Sequence, residues 1–170
     1  MKTRVKFSVR EIDRGFDKLG HVLKAIRDQG AYVKAGVIGA KAEEEHGEVN
    51  GKPITNTQLA AIHEFGAPSA NIPERSFIRA TFEANKPKYM SQLRNVVRGV
   101  YEGRGTIEAG LKLIGLQIEN DMKRRVTTGD GIPPPLKQET IDRKGSSRPL
   151  VDTGQLVNSI SSAVVLRGDE

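Results

Sequence analysis

Six apolar residues place the tightest constraint on this chain. Ile107, Leu111, Ile114, Ile118, Met122 and Val126 step by 4, 3, 4, 4 and 4. That spacing lays one apolar stripe along an α-helix of about six turns. A helix with such a stripe must bury it against other elements, so the chain needs further helices or a sheet to cover it. Thr106 stands where an N-cap belongs, and Lys123, Arg124 and Arg125 fall in the last turn, where cations suit the carbonyl end of the helix.

The remaining segments supply candidates for that cover. Val5, Phe7 and Val9 alternate with polar residues, which predicts a strand over 4–10. Ile12, Phe16, Leu19, Leu23 and Ile26 then step by 4, 3, 4 and 3, predicting a helix over 11–28 with Gly30 as its stop. Val33, Ala35 and Val37 alternate again, giving a strand that ends near Ile38. Residues 40–56 read as an exposed acidic loop holding Glu43, Glu44, Glu45 and Glu48, with a hairpin tip at Asn50-Gly51. Thr55 and Gln58 form a capping box that opens a short helix to Phe65, closed by Gly66. Pro73 is expected to begin the next helix, with Phe77, Ile78 and Phe82 on its buried side. Pro87 predicts a kink or restart at 85–87, with Asn85 as the new cap. Met90, Leu93, Val97 and Val100 continue the apolar pattern, and Gly103 and Gly105 mark a turn.

Residues 127–150 change character. Three consecutive prolines (133–135) and the 144–149 stretch, Lys-Gly-Ser-Ser-Arg-Pro, predict an extended arm with at most a short helix within 135–144. Asp152 and Gln155 are spaced as a capping box for a last short helix, and 160–166 is β-prone. The expected fold is α+β: a small, mostly antiparallel sheet packed against several helices, with extended loops or arms. It is read as one domain. Residues 1–126 form the core with the exposed loop 40–56, residues 127–150 form the arm, and residues 151–170 complete the same domain.

Several function classes lose support at this level. The chain of 170 residues has no cysteine, which removes disulfide frameworks, thiolate nucleophiles and cysteine-ligated metals. No apolar run approaches a membrane span, and Met1 to Arg10 lacks the apolar stretch of a secretory signal. The net charge of +6 comes from scattered residues of both signs, and aromatics make up 5%, a poor supply for a base-stacking platform. His63-Glu64 matches the start of a zinc-protease motif, but Ala67 stands where the second histidine belongs. A site of His46, His63 and Glu64 is conceivable; hydrogen-bonded or solvated histidines are the preferred reading. Asp152-Thr153-Gly154 resembles a catalytic aspartate tripeptide, and the capping role accounts for it. No catalytic residue, cofactor or metal is assigned. Lys123, Arg124 and Arg125 remain a candidate polyanion contact.

Two stretches carry a resemblance. The first is Leu59-Ala60-Ala61-Ile62-His63-Glu64-Phe65-Gly66 followed by Ile72-Pro73-Glu74-Arg75-Ser76-Phe77-Ile78-Arg79. The second is Arg148-Pro149-Leu150-Val151-Asp152-Thr153-Gly154-Gln155-Leu156, with Ser159-Ile160 after it. In order and spacing these resemble the neck and tail-completion proteins of tailed bacteriophages, also described as minor tail or virion morphogenesis proteins. The resemblance implies a non-enzymatic virion component, assembled in the host cytoplasm, that acts where head meets tail. Its implied partners are further copies of itself in a six-fold or twelve-fold ring, head-connector, tail-terminator or tail-tube proteins, and DNA passing through the neck. The implied interface and motif residues are His63, Glu64, Phe65, Gly66, Pro73, Arg75, Phe77, Arg79, Asp152, Thr153 and Gly154. Arg75 and Arg79 are expected on one helix face, with Glu64 as a local partner, and the polar segments 40–56 and 127–150 as arms that order against neighbours. The alternatives are a basic nucleic-acid-binding protein and a metal-dependent hydrolase centred on His63-Glu64.

Overall fold

The computed structural model describes residues 20, 24, 30–49, 51–129, 132–135, 137–144, 150 and 154–166. The expected strand over 4–10 lies outside the described residues, as does the helix over 11–28 apart from Gly20 and Lys24, which are both helical.

The order of elements is β1 (Tyr32–Val37), β2 (Glu45–Val49), β3 (Lys52–Thr55), α1 (Asn56–Phe65), α2 (Ile78–Tyr101), α3 (Ile107–Thr128), α4 (Gln138–Lys144), α5 (Gln155–Ser159) and β4 (Ile160–Val165). The fold class is α+β. β1 pairs with β4 antiparallel, from Tyr32↔Val165 to Val37↔Ile160. β2 and β3 form a separate antiparallel hairpin in the acidic segment, with a register shift between Glu45 and Glu48.

Helix α3 is the centre of the molecule. Thr106 caps it by accepting from the Ala109 amide at 3.2 Å, and Gly129 ends it in a left-handed conformation. Leu111, Ile114, Ile118, Met122 and Val126 are buried, as the stripe requires. One side of α3 lies on the β1–β4 sheet, where Gly115 approaches Val33 and Ser162. Its other side packs against α2. The two helices run antiparallel, with Tyr89, midway along α2, bonded to Asp121 and Val96 against Gly110 nearer the turn that joins them.

Several expectations need correction. Helix α2 begins at Ile78, five residues after Pro73, and runs unbroken to Tyr101 with Pro87 inside it. Pro87 cannot bond the Glu83 carbonyl, but both residues are exposed, so water can reach that group. On either side the helix is anchored. The Thr81 hydroxyl donates to the Phe77 carbonyl at 2.5 Å, the Asn85 amide donates to the Thr81 carbonyl at 2.9 Å, and Tyr89 is 1% exposed. Phe82 is 37% exposed and outside the core; Tyr89 takes the expected place, with the two ring centroids 5.9 Å apart. The Pro-rich arm is not wholly detached: Ile132 and Leu150 are buried in the same cluster as Phe77, Val126 and Ile160. The N-cap of α5 is Gly154, at φ 79°, with no side-chain cap; Asp152 and Thr153 lie outside the described residues.

Candidate functional site

The motif of residues 63–79 forms one hydrogen-bonded unit. Thr55 and Gln58 start α1 with the reciprocal capping box: the Thr55 hydroxyl accepts from the Gln58 amide at 3.3 Å, and the Gln58 side chain accepts from the Thr55 amide at 3.0 Å. Asn56, fully buried, ties the start of α1 to the acidic segment through the Lys41 carbonyl at 2.8 Å and the His46 ring at 2.8 Å. Gly66 then ends α1 at φ 73°. Ala67 and Ile72 exchange both backbone bonds, at 2.9 and 3.1 Å, and the His63 carbonyl accepts from the Arg75 amide at 2.7 Å. The chain is thereby folded back so that residues 76–79 lie over the end of α1.

The carboxylate of Glu64 sits at this junction, 5% exposed. Its Oε1 accepts from the Ser76 hydroxyl at 2.7 Å and the Arg79 amide at 3.0 Å. Its Oε2 accepts from the Phe77 and Ile78 amides, both at 2.9 Å. The first amides of a helix have no partner within it and carry the positive end of its dipole. Phe77, at the N-cap position of α2, offers no side-chain cap. A glutamate thirteen residues upstream does the work instead. Burial alone would push the Glu64 carboxyl upward, but the Ser76 hydroxyl and the three backbone amides overcome it and hold the group below its usual value of 4.5. Ser76 also accepts from the Ala80 amide at 3.2 Å, so it serves both the carboxylate and the helix.

The glycine at 66 is required by space as well as by φ. A Cβ there would lie 2.9 Å from the Glu74 amide nitrogen and 3.1 Å from the Ile72 carbonyl oxygen. Both are backbone atoms and cannot swing away. Gly66→Ala is expected to cost about 2 kcal/mol from left-handed strain and backbone displacement, read by urea unfolding. A cost near zero would show that the turn tolerates a side chain.

The arginines depart from expectation. Arg75 lies before the helix and not on a shared face with Arg79. It is 8% exposed, and its Nε donates to the Pro134 carbonyl at 3.2 Å, which fastens the proline segment to the motif. Burial lowers its affinity for a proton. Arg79 is exposed and pairs with Glu74. Glu64 takes neither guanidinium as a partner, because its four acceptor positions face the Ser76 hydroxyl and the amides of Phe77, Ile78 and Arg79. Phe77 is fully buried, while Pro73 is exposed. Phe65 is 68% exposed beside a shallow groove of about 400 Å³ that Val37, Ala60 and Ile78 line. His63 is half-buried on α1. Among the described residues, no group of three His, Asp or Glu is placed to hold a metal ion.

The basic residues at the end of α3 are engaged locally. Lys123 pairs with Glu119 at 2.7 Å and Arg124 with Asp121 at 2.9 Å. Asp121 is a second buried carboxylate, 3% exposed, which also accepts from Lys88 Nζ at 2.9 Å and the Tyr89 hydroxyl at 3.0 Å. Burial would raise its carboxyl; Lys88, Tyr89 and Gln117 outweigh that and lower it. For Tyr89, burial and the Asp121 carboxylate raise the phenol well above its usual value. Sequence reasoning missed Asp121, Tyr89 and Ser76. Ser76, standing just before Phe77 and Ile78, offered the one usable signal, since serine in that place suits a helix start.

No family model, curated protein or solved structure compared with this chain matches it. Among the described residues, no helix is long and apolar enough to cross a membrane.

Proposed function

We propose that this chain is a non-enzymatic structural protein of a tailed-phage virion that acts in the neck, where the head joins the tail. The observation that carries this reading is the use made of Glu64. All four acceptor positions of its carboxylate face donors of its own chain. The motif that resembles the phage family is thus engaged in fixing the angle between two helices, and it leaves Glu64 no lone pair for a metal or a proton relay. That arrangement suits a scaffold and disfavours a hydrolase centred on His63-Glu64.

In this reading the copies form a closed head-to-tail ring, six-fold or twelve-fold. The exposed surface around Phe65 and the hairpin β2–β3 face neighbouring copies or the head-connector, tail-terminator and tail-tube proteins. Ile132 and Leu150 belong to the core of their own subunit, so the proline segment acts as a strap and not as a freely exchanged arm. DNA contact is a lesser role, since Lys123 and Arg124 already hold carboxylate partners. The test is deletion of the gene followed by electron microscopy of lysates. Separate full heads and finished tails are the expected result. Normal joined particles lacking this protein would overturn the reading, and so would a sole monomer by mass measurement in the presence of head and tail partners.

A further inference from the structure

Outside the motif, the described residues leave an apolar groove of about 370 Å³ between β1, α2 and α3. Tyr32, Phe82 and Met90 stand on it 40%, 37% and 39% exposed. Leu93, Leu111 and Ile114 complete its apolar surface. Exposed large apolar side chains grouped in this way mark a surface that something covers.

The lip of the groove is the start of β1, and there the chain arrives from its N-terminal segment. Ile12, Phe16, Leu19, Leu23 and Ile26 form an apolar stripe about 21 Å long if helical. Gly20 and Lys24, the two described residues of that segment, are helical and exposed, and neither belongs to the stripe. Ile26 lies five residues before Ala31, which lines the groove. Five residues span at most about 17 Å, so the near end of the stripe, Ile26, is tethered within that distance of the groove mouth.

We infer that residues 11–28 dock in this groove of their own chain, with the stripe facing Phe82, Met90 and Leu111. The tether gives the segment a millimolar-scale local concentration. A second copy or a foreign helix would have to compete with that at ordinary protein concentration. Docking also joins the two apolar surfaces that would otherwise face water: a helix stripe of five residues and a groove of matching character.

The absence of cysteine makes the test clean. Single cysteines at Phe16, Leu19 or Leu23 are each paired with Met90→Cys in the full chain and treated with a short bismaleimide. A control pair joins Met90→Cys with His21→Cys, on the opposite side of the predicted helix. The stripe pairs are expected to link within one chain about tenfold faster than the control, at a rate unchanged by dilution. Links formed only between chains would assign the groove to a second copy and overturn the inference. Equal rates for stripe and control pairs, or no links at all, would also overturn it and leave the groove to another partner. As a second readout, the double substitution Leu19→Asp with Leu23→Asp should speed amide exchange in 89–97 by about tenfold, because it uncovers that side of α2. Unchanged exchange would count against docking. Neither result depends on the virion reading.

Discussion

Glu64→Ala is expected to cost about 3–5 kcal/mol, a large share of the roughly 5–15 kcal/mol that holds an ordinary domain folded. The substitution strands the amides of Phe77, Ile78 and Arg79 and the hydroxyl of Ser76 at a site that is 5% exposed. A simple N-cap loss costs about 1 kcal/mol; here one charged acceptor serves four donors, each bond stronger than a neutral one. Glu64→Gln separates acceptor strength from packing. It keeps the shape but turns an NH2 group toward donors, so it should fall within about 1 kcal/mol of alanine. Denaturant unfolding monitored by helix content reads both. A glutamine variant as stable as the parent would show that the carboxylate merely fills space.

The same group sets an acid limit. The folded Glu64 carboxyl lies below 4.5, its usual value in an unfolded chain. Above pH 4.5 both states are ionised and the full stabilisation is present. As pH falls below 4.5 the unfolded state takes up the proton first, and stability is lost progressively down to the folded value. Asp121 adds a second loss that begins near its usual 3.8, and Glu119, also lowered from 4.5, a third. Unfolding free energy measured from pH 7 to 3 should therefore fall at the acid end, with a shallower fall in Glu64→Gln. Equal slopes in parent and variant would remove Glu64 from the acid response.

Gly110→Ala is the second large effect, and it runs against local propensity. Alanine favours a helix interior over glycine by about 1 kcal/mol. Yet a Cβ at 110 would lie 2.2 and 2.6 Å from the two methyls of Val96 on α2. Valine is branched at Cβ and has no flexible end to move aside, so the helices must part. A net loss of about 1–3 kcal/mol is expected. Val96→Ala alone removes two methyl groups and should cost about 1.6 kcal/mol at 0.8 per group. Combined, the two should cost at least about 1 kcal/mol less than their sum, because the smaller residue makes the room the larger one needs. Thermal unfolding of the four proteins in this cycle measures the coupling. Strict additivity would mean that the helices do not meet at this point.

Gly110 also shows where sequence reading stops. Its place in the α3 pattern is evident, but its need to be glycine comes from Val96, a residue of another helix. Pro87 illustrates the reverse error. The local rule predicts a break, and the helix continues because Phe77, Thr81 and Tyr89 fix it on the core side while the unbonded carbonyl faces outward. Arg75 and Arg79 looked like a pair on one helix face. The late start of α2 puts them in different structures, one buried against Pro134 and one exposed beside Glu74. The Pro-rich stretch looked polar throughout, yet Ile132 and Leu150 at its two ends reach the core.

The chain alone determined those features whose causes act within one or two turns. These are the α3 stripe, the caps at Thr55 and Thr106, the alternation of β1 and the strand tail after Ser159. Each rests on neighbours separated by two to four positions, a spacing that backbone geometry fixes in advance. The tertiary structure alone decided where Glu64 points. Its partners lie twelve to fifteen residues away, and only the turn from Gly66 to Arg75 brings the donors of α2 onto it. A buried carboxylate can seek a lysine, a metal or a set of amides with similar chemical success. Which of these it meets depends on the path of the backbone between them, and no local preference of the glutamate itself encodes that path.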